Sequence, residues 1–116
     1  HSEAYAAGEL KHGPISLIED GTLVIALATD ARLFDKMMSN IKEVKARGAR
    51  VLGVALEGNR AIYSEADDVI LVPRMDDLFV VPAEIVPLQL FAYYVAKANG
   101  CAIDKPKNLA KSVTVE

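Results

Sequence analysis

Three short apolar runs, separated by segments with helical spacing, constrain the fold of this chain more than any other feature. The first run, Leu23 to Ala28, is continuously apolar, which is typical of a strand covered on both faces. A second strand is predicted at Val51 to Ala55, and a third at Val69 to Val72, closed by Pro73. Strands that alternate with helices in this order predict an α/β fold with a parallel sheet and right-handed crossovers.

The helix between the first two strands has the clearest pattern. Apolar residues recur at helical spacing from Leu33 to Val44, Asp30 is the predicted N-cap, and Gly48 ends the element.

The later helices are less regular. A short helix is predicted at Ile62 to Ala66 and a long apolar helix at Ala83 to Ala98, which Asn99 and Gly100 end. Pro87 either kinks the long helix or marks its true first turn. The segment from Arg74 to Val81 has no assignment from its pattern.

Composition limits the class of protein. Of the 116 residues, 52% are hydrophobic and 25% are charged, as in an ordinary globular domain. The net charge of -3, with acidic and basic residues interspersed, argues against nucleic-acid binding. The longest apolar stretches, Leu23 to Ala28 and Ile85 to Ala96, are too short or too interrupted to span a bilayer, so a soluble chain is predicted. Cys101 is the single cysteine, which excludes an internal disulfide and agrees with a cytoplasmic location.

Two segments carry candidate chemistry. His12 ends an Ala-rich helical run just before a Gly-Pro break, where the residue type alone favours a structural role at a helix end. Lys111 lies in a C-terminal tail that has apolar residues on both sides of it, among them Leu109 and Val113. A lysine in a partly desolvated pocket can lose its proton and attack a carbonyl to form a Schiff base, whereas a hydrated lysine cannot. Position in the tail alone favours hydration.

The two segments together resemble the C-terminal end of the glutamine:fructose-6-phosphate aminotransferases, also called glucosamine-6-phosphate synthases. The resemblance rests on residues 1–14 (HSEAYAAGELKHGP), on the middle residues 86–90 (VPLQL) with Ala92 and Tyr93, and on residues 108–116 (NLAKSVTVE). The first segment also occurs in related sugar isomerase proteins, whereas the closing nonapeptide is far more specific.

The resemblance implies a three-layer parallel-sheet sugar isomerase (SIS) module, present here as a truncated C-terminal portion. Residues 1–103 would be part of that module and residues 104–116 a catalytic tail. Modules of this family have a five-stranded sheet, so the sheet is expected to be cut. Since the chain starts with His1 and not Met, it is expected to begin inside a larger protein. Because the family's phosphate loop and enolisation base are not found in it, the chain is expected to be inactive by itself.

The resemblance also implies roles for particular residues. His12 matches the histidine that opens the sugar ring, Lys111 matches the lysine that forms the Schiff base, and Ala110 lies where a backbone group touches substrate. Glu9 and Lys11 either orient the histidine or form a surface ion pair. The enolisation base and the Ser/Thr-rich phosphate loop are expected upstream of this chain, and His1 has no assigned role.

The implied substrates are fructose 6-phosphate, which becomes glucosamine 6-phosphate, and glutamine, which a glutaminase domain absent from this chain would use. A homodimer is expected, with no nucleic acid or membrane as a partner. No metal or organic cofactor is implied. Two alternatives remain: a related sugar-phosphate isomerase or fructosamine deglycase, and a non-catalytic sugar-phosphate sensor, which would have no use for a Schiff-base lysine.

Overall fold

A computed structural model of the protein describes residues 1–105, which fall into two compact units, residues 1–84 and the residues from Ile85 onward. In chain order the elements are two 3₁₀ helices, Ala7–His12 and Pro14–Leu17, then strand β1 (Leu23–Leu27), helix α1 (Phe34–Lys45), strand β2 (Arg50–Leu56), a 3₁₀ helix (Ala61–Ser64), strand β3 (Asp68–Val72) and helix α2 (Asp77–Ala98).

The three strands form a parallel sheet in the order β1-β2-β3, which confirms the predicted α/β class and all three predicted strands. The register pairs Val24 with Val51, and Gly53 with both Ala26 and Val69. Because side chains in one row of a parallel sheet point to the same face, each face of this sheet carries every second residue of a strand.

One face, which we call face A, carries the main core. Its buried cluster joins the strands to α1 and to the 3₁₀ helices on either side of it; the members include Ile15, Ala26, Ala28, Ile41, Val44, Val51, Ala55 and Ile62. These residues come from five separate elements of the chain. The helical spacing predicted for α1 therefore identified the side of that helix, with Ile41 and Val44, that packs against the sheet.

The opposite face, face B, includes the alternate residues Val54 and Val72, which are also buried. The first turns of α2 lie on this side, since the hydroxyl of Thr29, just beyond β1, donates to the carboxylate of Glu84 on α2. Helices therefore cover both faces of the sheet, as expected for parallel strands. This arrangement confirms the three-layer prediction within residues 1–84.

The beginnings of both long helices differ from the sequence predictions. Asp30 does not cap α1: its carboxylate accepts the backbone N–H of Arg32 at 2.9 Å and its guanidinium Nε at 3.0 Å, so it forms a turn before the helix, which begins at Phe34. Helix α2 begins at Asp77, six residues before the predicted start at Ala83. Pro87 therefore lies inside the helix, so of the two alternatives given for it, the first-turn position is wrong.

The length of α2 also changes the membrane argument. At 22 residues it is long and apolar enough to cross a bilayer by length and composition, contrary to the prediction that the apolar stretches are too short or too interrupted. A core helix of an α/β domain passes the same test. The bond from Thr29 to Glu84 ties the first turns of α2 to the sheet, but only 11% of the apolar window of α2 is buried.

The residues from Ile85 to Asp104 contain the rest of α2 and the turn that ends it. The N–H of Gly100 donates to the carbonyl of Lys97, the N–H of Cys101 donates to that of Ala96, and Gly100 has a φ of 68°. This is the geometry of a glycine-terminated helix, so the predicted end at Asn99 and Gly100 is confirmed.

Ion pairs hold the end of the sheet where β2 and β3 begin. The carboxylate of Asp67 accepts Lys45 Nζ at 2.8 Å and the backbone N–H of Val51 at 2.7 Å. The hydrogen bond from Lys45, followed by the one from Val51, lowers the pKa of Asp67 below its ordinary value of 3.8. Arg50 and Asp68 form a second, more exposed pair at 2.8 Å beside it.

The packing at the centre of β2 is expected to require glycine at position 53. A Cβ at Gly53 would lie 2.8 Å from Ile62 Cγ1 and 3.1 Å from Ala66 Cβ. We expect Gly53→Ala to lower the free energy of unfolding by about 1–3 kcal/mol, because the 3₁₀ helix above β2 must shift. Urea unfolding checks this. Gly8→Ala is the matched control, since a Cβ at Gly8 has no neighbour within 4 Å; equal costs at both positions would contradict the steric explanation.

The lowered pKa of Asp67 implies that the stability of the fold depends on pH. A group whose pKa is lower in the folded state stabilises that state above its unfolded pKa, and this contribution is lost as the pH falls through the folded pKa. We therefore expect Asp67→Asn to reduce stability at pH 7, and the difference from the parent to shrink steadily below about pH 4. Thermal unfolding between pH 7 and pH 3 measures the difference. Asp68→Asn, which removes only the more exposed pair, should cost less; an equal or larger cost would contradict the larger contribution expected from the ionised carboxylate of Asp67.

Candidate functional site

His12 is the last residue of the 3₁₀ helix Ala7–His12, which places it at the end of a helical run as predicted. The next residue, Gly13, has a φ of 149°, which side chains rarely tolerate, and Pro14 then starts the second 3₁₀ helix. The Gly-Pro break therefore turns the chain sharply just beyond the imidazole.

The turn is anchored on the core side. The hydroxyl of Ser16 donates to the carbonyl of Gly13 at 2.8 Å, and the N–H of Gly13 donates to the carbonyl of Leu10 at 3.3 Å. Ile15, three residues after His12, is buried in the main cluster on face A. The backbone that carries His12 is thus held by its neighbours, while the side chain is left outside the core.

The surroundings of the imidazole are open. His12 Nε2 lies 4.0 Å from Glu9 Oε2, and the two side chains are 65% and 70% exposed. A pair this long and this exposed contributes little to stability. Whether Glu9 and Lys11 orient the histidine stays a prediction. The imidazole is accessible to a substrate or to another polypeptide.

The other two predicted site residues, Ala110 and Lys111, lie outside the described residues. The structure accordingly tests neither their positions nor their distance from His12, and their roles stay predictions. His1, which has no predicted role, is at the surface with its Nε2 3.1 Å from Glu3 Oε1. Glu3 also accepts the hydroxyl of Tyr5, and this hydrogen bond raises the pKa of Tyr5.

A partly buried polar pair at the carboxyl end of β1, formed by Thr29 and Glu84, was missed by the sequence analysis. Glu84 is the one buried charged residue among those the structure describes, with 7% of its surface exposed, and its carboxylate accepts the hydroxyl of Thr29. Ligands of parallel α/β sheets bind beyond the carboxyl ends of the strands, which is the end where this pair lies. A carboxylate within a long apolar helix was the available signal, but its partner is far away in the sequence.

No group of three or more His, Cys, Asp or Glu side chains within residues 1–105 has the geometry to hold a metal ion. The charged contacts of this part of the chain instead form pairs, as at Arg32 with Asp30 and at Lys42 with Glu65.

Comparison with known proteins identifies the fold. The SIS domain family matches residues 1–98. In solved structures, the C-terminal domain of glucosamine-fructose-6-phosphate aminotransferase from Francisella tularensis superimposes with a TM-score of 0.79 and 32% identity, over 90% of this chain and 30% of that one.

Curated relatives match over the whole chain. The enzymes named glutamine–fructose-6-phosphate aminotransferase (isomerizing) are 57% identical in Clostridium tetani and 52% identical in Thermus thermophilus, each over 116 residues. The chain spans 19% of the length of each of these relatives. The similarity therefore concerns one part of a much longer protein.

The Thr29–Glu84 pair makes its own prediction. Thr29→Val keeps the shape of the side chain but removes the donor, which leaves a buried carboxylate without this hydrogen bond. We expect a loss of about 1–3 kcal/mol in the free energy of unfolding, measured by urea titration. Thr29→Ser keeps the hydroxyl and is the matched control. If the valine variant is as stable as the serine variant, the hydrogen bond does not hold α2 to the sheet.

Proposed function

The chain belongs to the SIS domain family, and from that premise we propose that it is the C-terminal isomerase portion of a glutamine–fructose-6-phosphate aminotransferase. The whole protein would convert fructose 6-phosphate and glutamine into glucosamine 6-phosphate and glutamate. The observation that carries this proposal is the 57% identity to the Clostridium tetani enzyme over all 116 residues, tail included.

In this proposal His12 opens the ring of the sugar phosphate. Ring opening requires a proton to leave the anomeric hydroxyl and a proton to reach the ring oxygen. An imidazole suits both transfers because its protonated and neutral forms are close in free energy near pH 7. The exposure of His12 supports the proposal, since the reacting oxygens must approach one of its ring nitrogens.

Lys111 then acts on the open-chain ketose. Its neutral amine adds to the carbonyl carbon, and loss of water leaves a C=N bond that makes the neighbouring C–H more acidic. A backbone group at Ala110 would contact the sugar next to this amine. The base that removes the carbon-bound proton and the loop that binds the phosphate would lie in the remainder of the protein.

The exposure of His12 also supports a homodimeric arrangement. Within residues 1–105 its ring nitrogen Nε2 lies 4.0 Å from the carboxylate of Glu9. The imidazole is therefore available to complete a site on a partner subunit. We accordingly propose that His12 serves the partner's site, that the chain by itself is inactive, and that the intact protein works in the cytoplasm.

The proposal predicts the behaviour of the tail lysine. In the full-length protein, Lys111→Arg keeps the positive charge but removes the nucleophile, because a guanidinium stays protonated. We expect synthesis of glucosamine 6-phosphate to fall by roughly a thousandfold or more, as is typical when a covalent nucleophile is removed. Borohydride reduction in the presence of fructose 6-phosphate, followed by peptide mass analysis, should label Lys111 in the parent protein.

Lys105→Arg is the matched control, since it makes the same change a few residues away and should keep both activity and labelling. Near-normal turnover of Lys111→Arg would contradict the Schiff-base role while leaving the family assignment intact. A parent protein that binds the sugar phosphate but is never trapped by borohydride would favour the sensor alternative.

A further inference from the structure

The backbone conformation of Gly13, the residue after His12, is open only to glycine. Its φ is 149° and its ψ is −56°, and residues with a side chain rarely adopt the first of these angles. Pro14 restricts the second angle, because a residue that carries a Cβ and precedes a proline is driven to a ψ of about +120 to +160°. An alanine at position 13 would therefore be pushed away from both torsion angles.

Packing does not account for this glycine. A Cβ at Gly13 would meet no atom within 4 Å, whereas a Cβ at Gly53 would lie 2.8 Å from Ile62 Cγ1. The other described glycines with a positive φ, such as Gly21, have values between 68° and 89°, closer to the left-handed helical region. The requirement at position 13 is thus one of backbone conformation. A substitution there would change the path of the chain without a clash against neighbouring residues.

The turn at Gly13 joins two segments that are anchored in the same core. Leu10, before the turn, packs against the buried cluster on face A, and Ile15, after the turn, belongs to that cluster. His12 lies between these two anchors. The torsion angles of Gly13 set the orientation of the helix Ala7–His12 relative to the helix Pro14–Leu17, and with it the direction in which the imidazole leaves the surface.

Hydrogen bonds hold both backbone groups of Gly13. Its N–H donates to the carbonyl of Leu10 at 3.3 Å, and its carbonyl accepts the N–H of Ser16 at 3.0 Å and the hydroxyl of Ser16 at 2.8 Å. A change of φ or ψ at Gly13 would turn these groups away from their partners. The imidazole of His12 is exposed and lies 4.0 Å from Glu9, so its orientation depends on the backbone more than on side-chain contacts.

We propose that Gly13 is a positioning residue for His12. Its torsion angles hold the imidazole in the orientation from which it exchanges protons with the sugar ring during ring opening. This inference rests on the proposed function, and it adds a residue that acts on the reaction without touching the substrate. Proton transfer requires the ring nitrogen to be within hydrogen-bond distance of the reacting oxygen, so a small displacement of His12 has a large effect on the rate.

A double-mutant cycle in the full-length protein tests the inference. We expect Gly13→Ala to lower kcat for glucosamine 6-phosphate synthesis by about ten- to hundredfold, with little change in KM for fructose 6-phosphate. His12→Gln removes the group that Gly13 positions, so Gly13→Ala should cause no further loss in that background. The residual synthesis, which the open-chain ketose present in solution sustains, is measured by mass spectrometry. Equal losses in the two backgrounds would overturn the inference, because Gly13 would then act independently of His12.

Gly21→Ala is the matched control. Gly21 also has a positive φ and no neighbour within 4 Å of a Cβ, but it lies in the turn before β1. We expect this variant to lower the melting temperature about as much as Gly13→Ala does, while its kcat stays near that of the parent. A loss of kcat that follows the loss of melting temperature at both positions would overturn the inference.

Gly13→Asn is a milder second variant, which keeps the test decisive if the alanine variant does not fold. Asparagine tolerates a positive φ better than most residues with a side chain. Its kcat should lie between those of the parent and of Gly13→Ala, again with no loss in the His12→Gln background; a parent-like kcat in a variant with a lowered melting temperature would overturn the inference. Near-normal turnover of His12→Gln alone would instead contradict the catalytic role of His12 in the proposed function.

Discussion

The burial of β2 is the constraint on which the rest of the structure depends. Val51, Val54 and Ala55 are completely buried, and they point to both faces of the sheet. Parallel neighbours on each side can be reached only by crossovers, so the chain must place helices against the sheet between strands. The absence of a Cβ at Gly53 leaves room for Ile62 to approach β2 closely.

The same constraint positions the polar groups of this portion of the molecule. Because all three strands run in one direction, the residues that follow them gather at one end of the sheet, where Thr29 binds Glu84. The opposite end holds the ion pairs around Asp67. One end is therefore fixed by exposed or half-exposed charges, and the other by a partly buried hydrogen bond to α2. In parallel sheets the latter end is the one that faces ligands.

The side chain of His12 is more exposed than the polar groups at either end of the sheet. Its backbone is held by Gly13 and by the buried Ile15, while its side chain remains open. An open imidazole on a held backbone can serve a site that other parts of a protein complete. This agrees with a chain that corresponds to about a fifth of the length of its relatives.

Local pattern was sufficient to locate most elements of the fold. The continuous apolar run at β1 and the helical spacing of α1 are local patterns of neighbouring residues, so a single sequence reveals them. The resemblance in residues 1–14 and 108–116 identified the family and the position of His12, which lies at a helix end as the Gly-Pro break indicates. The roles of Lys111 and Ala110 rest on that resemblance alone.

Only the tertiary structure decided which residues meet across long separations in the chain. The start of α2 at Asp77 was not readable, because the segment before Ala83 has no period of its own and is held by Val80 and Glu84 in the fold. Asp30 has the residue type of a helix cap but binds Arg32 instead, since the nearby guanidinium competes for its carboxylate. Thr29 meets Glu84 only because α2 packs near the carboxyl end of β1. Sequence alone determined the local strand and helix patterns and the family. Packing decided the start of α2 and the Thr29–Glu84 contact, because their energies depend on neighbours that are not adjacent in the chain.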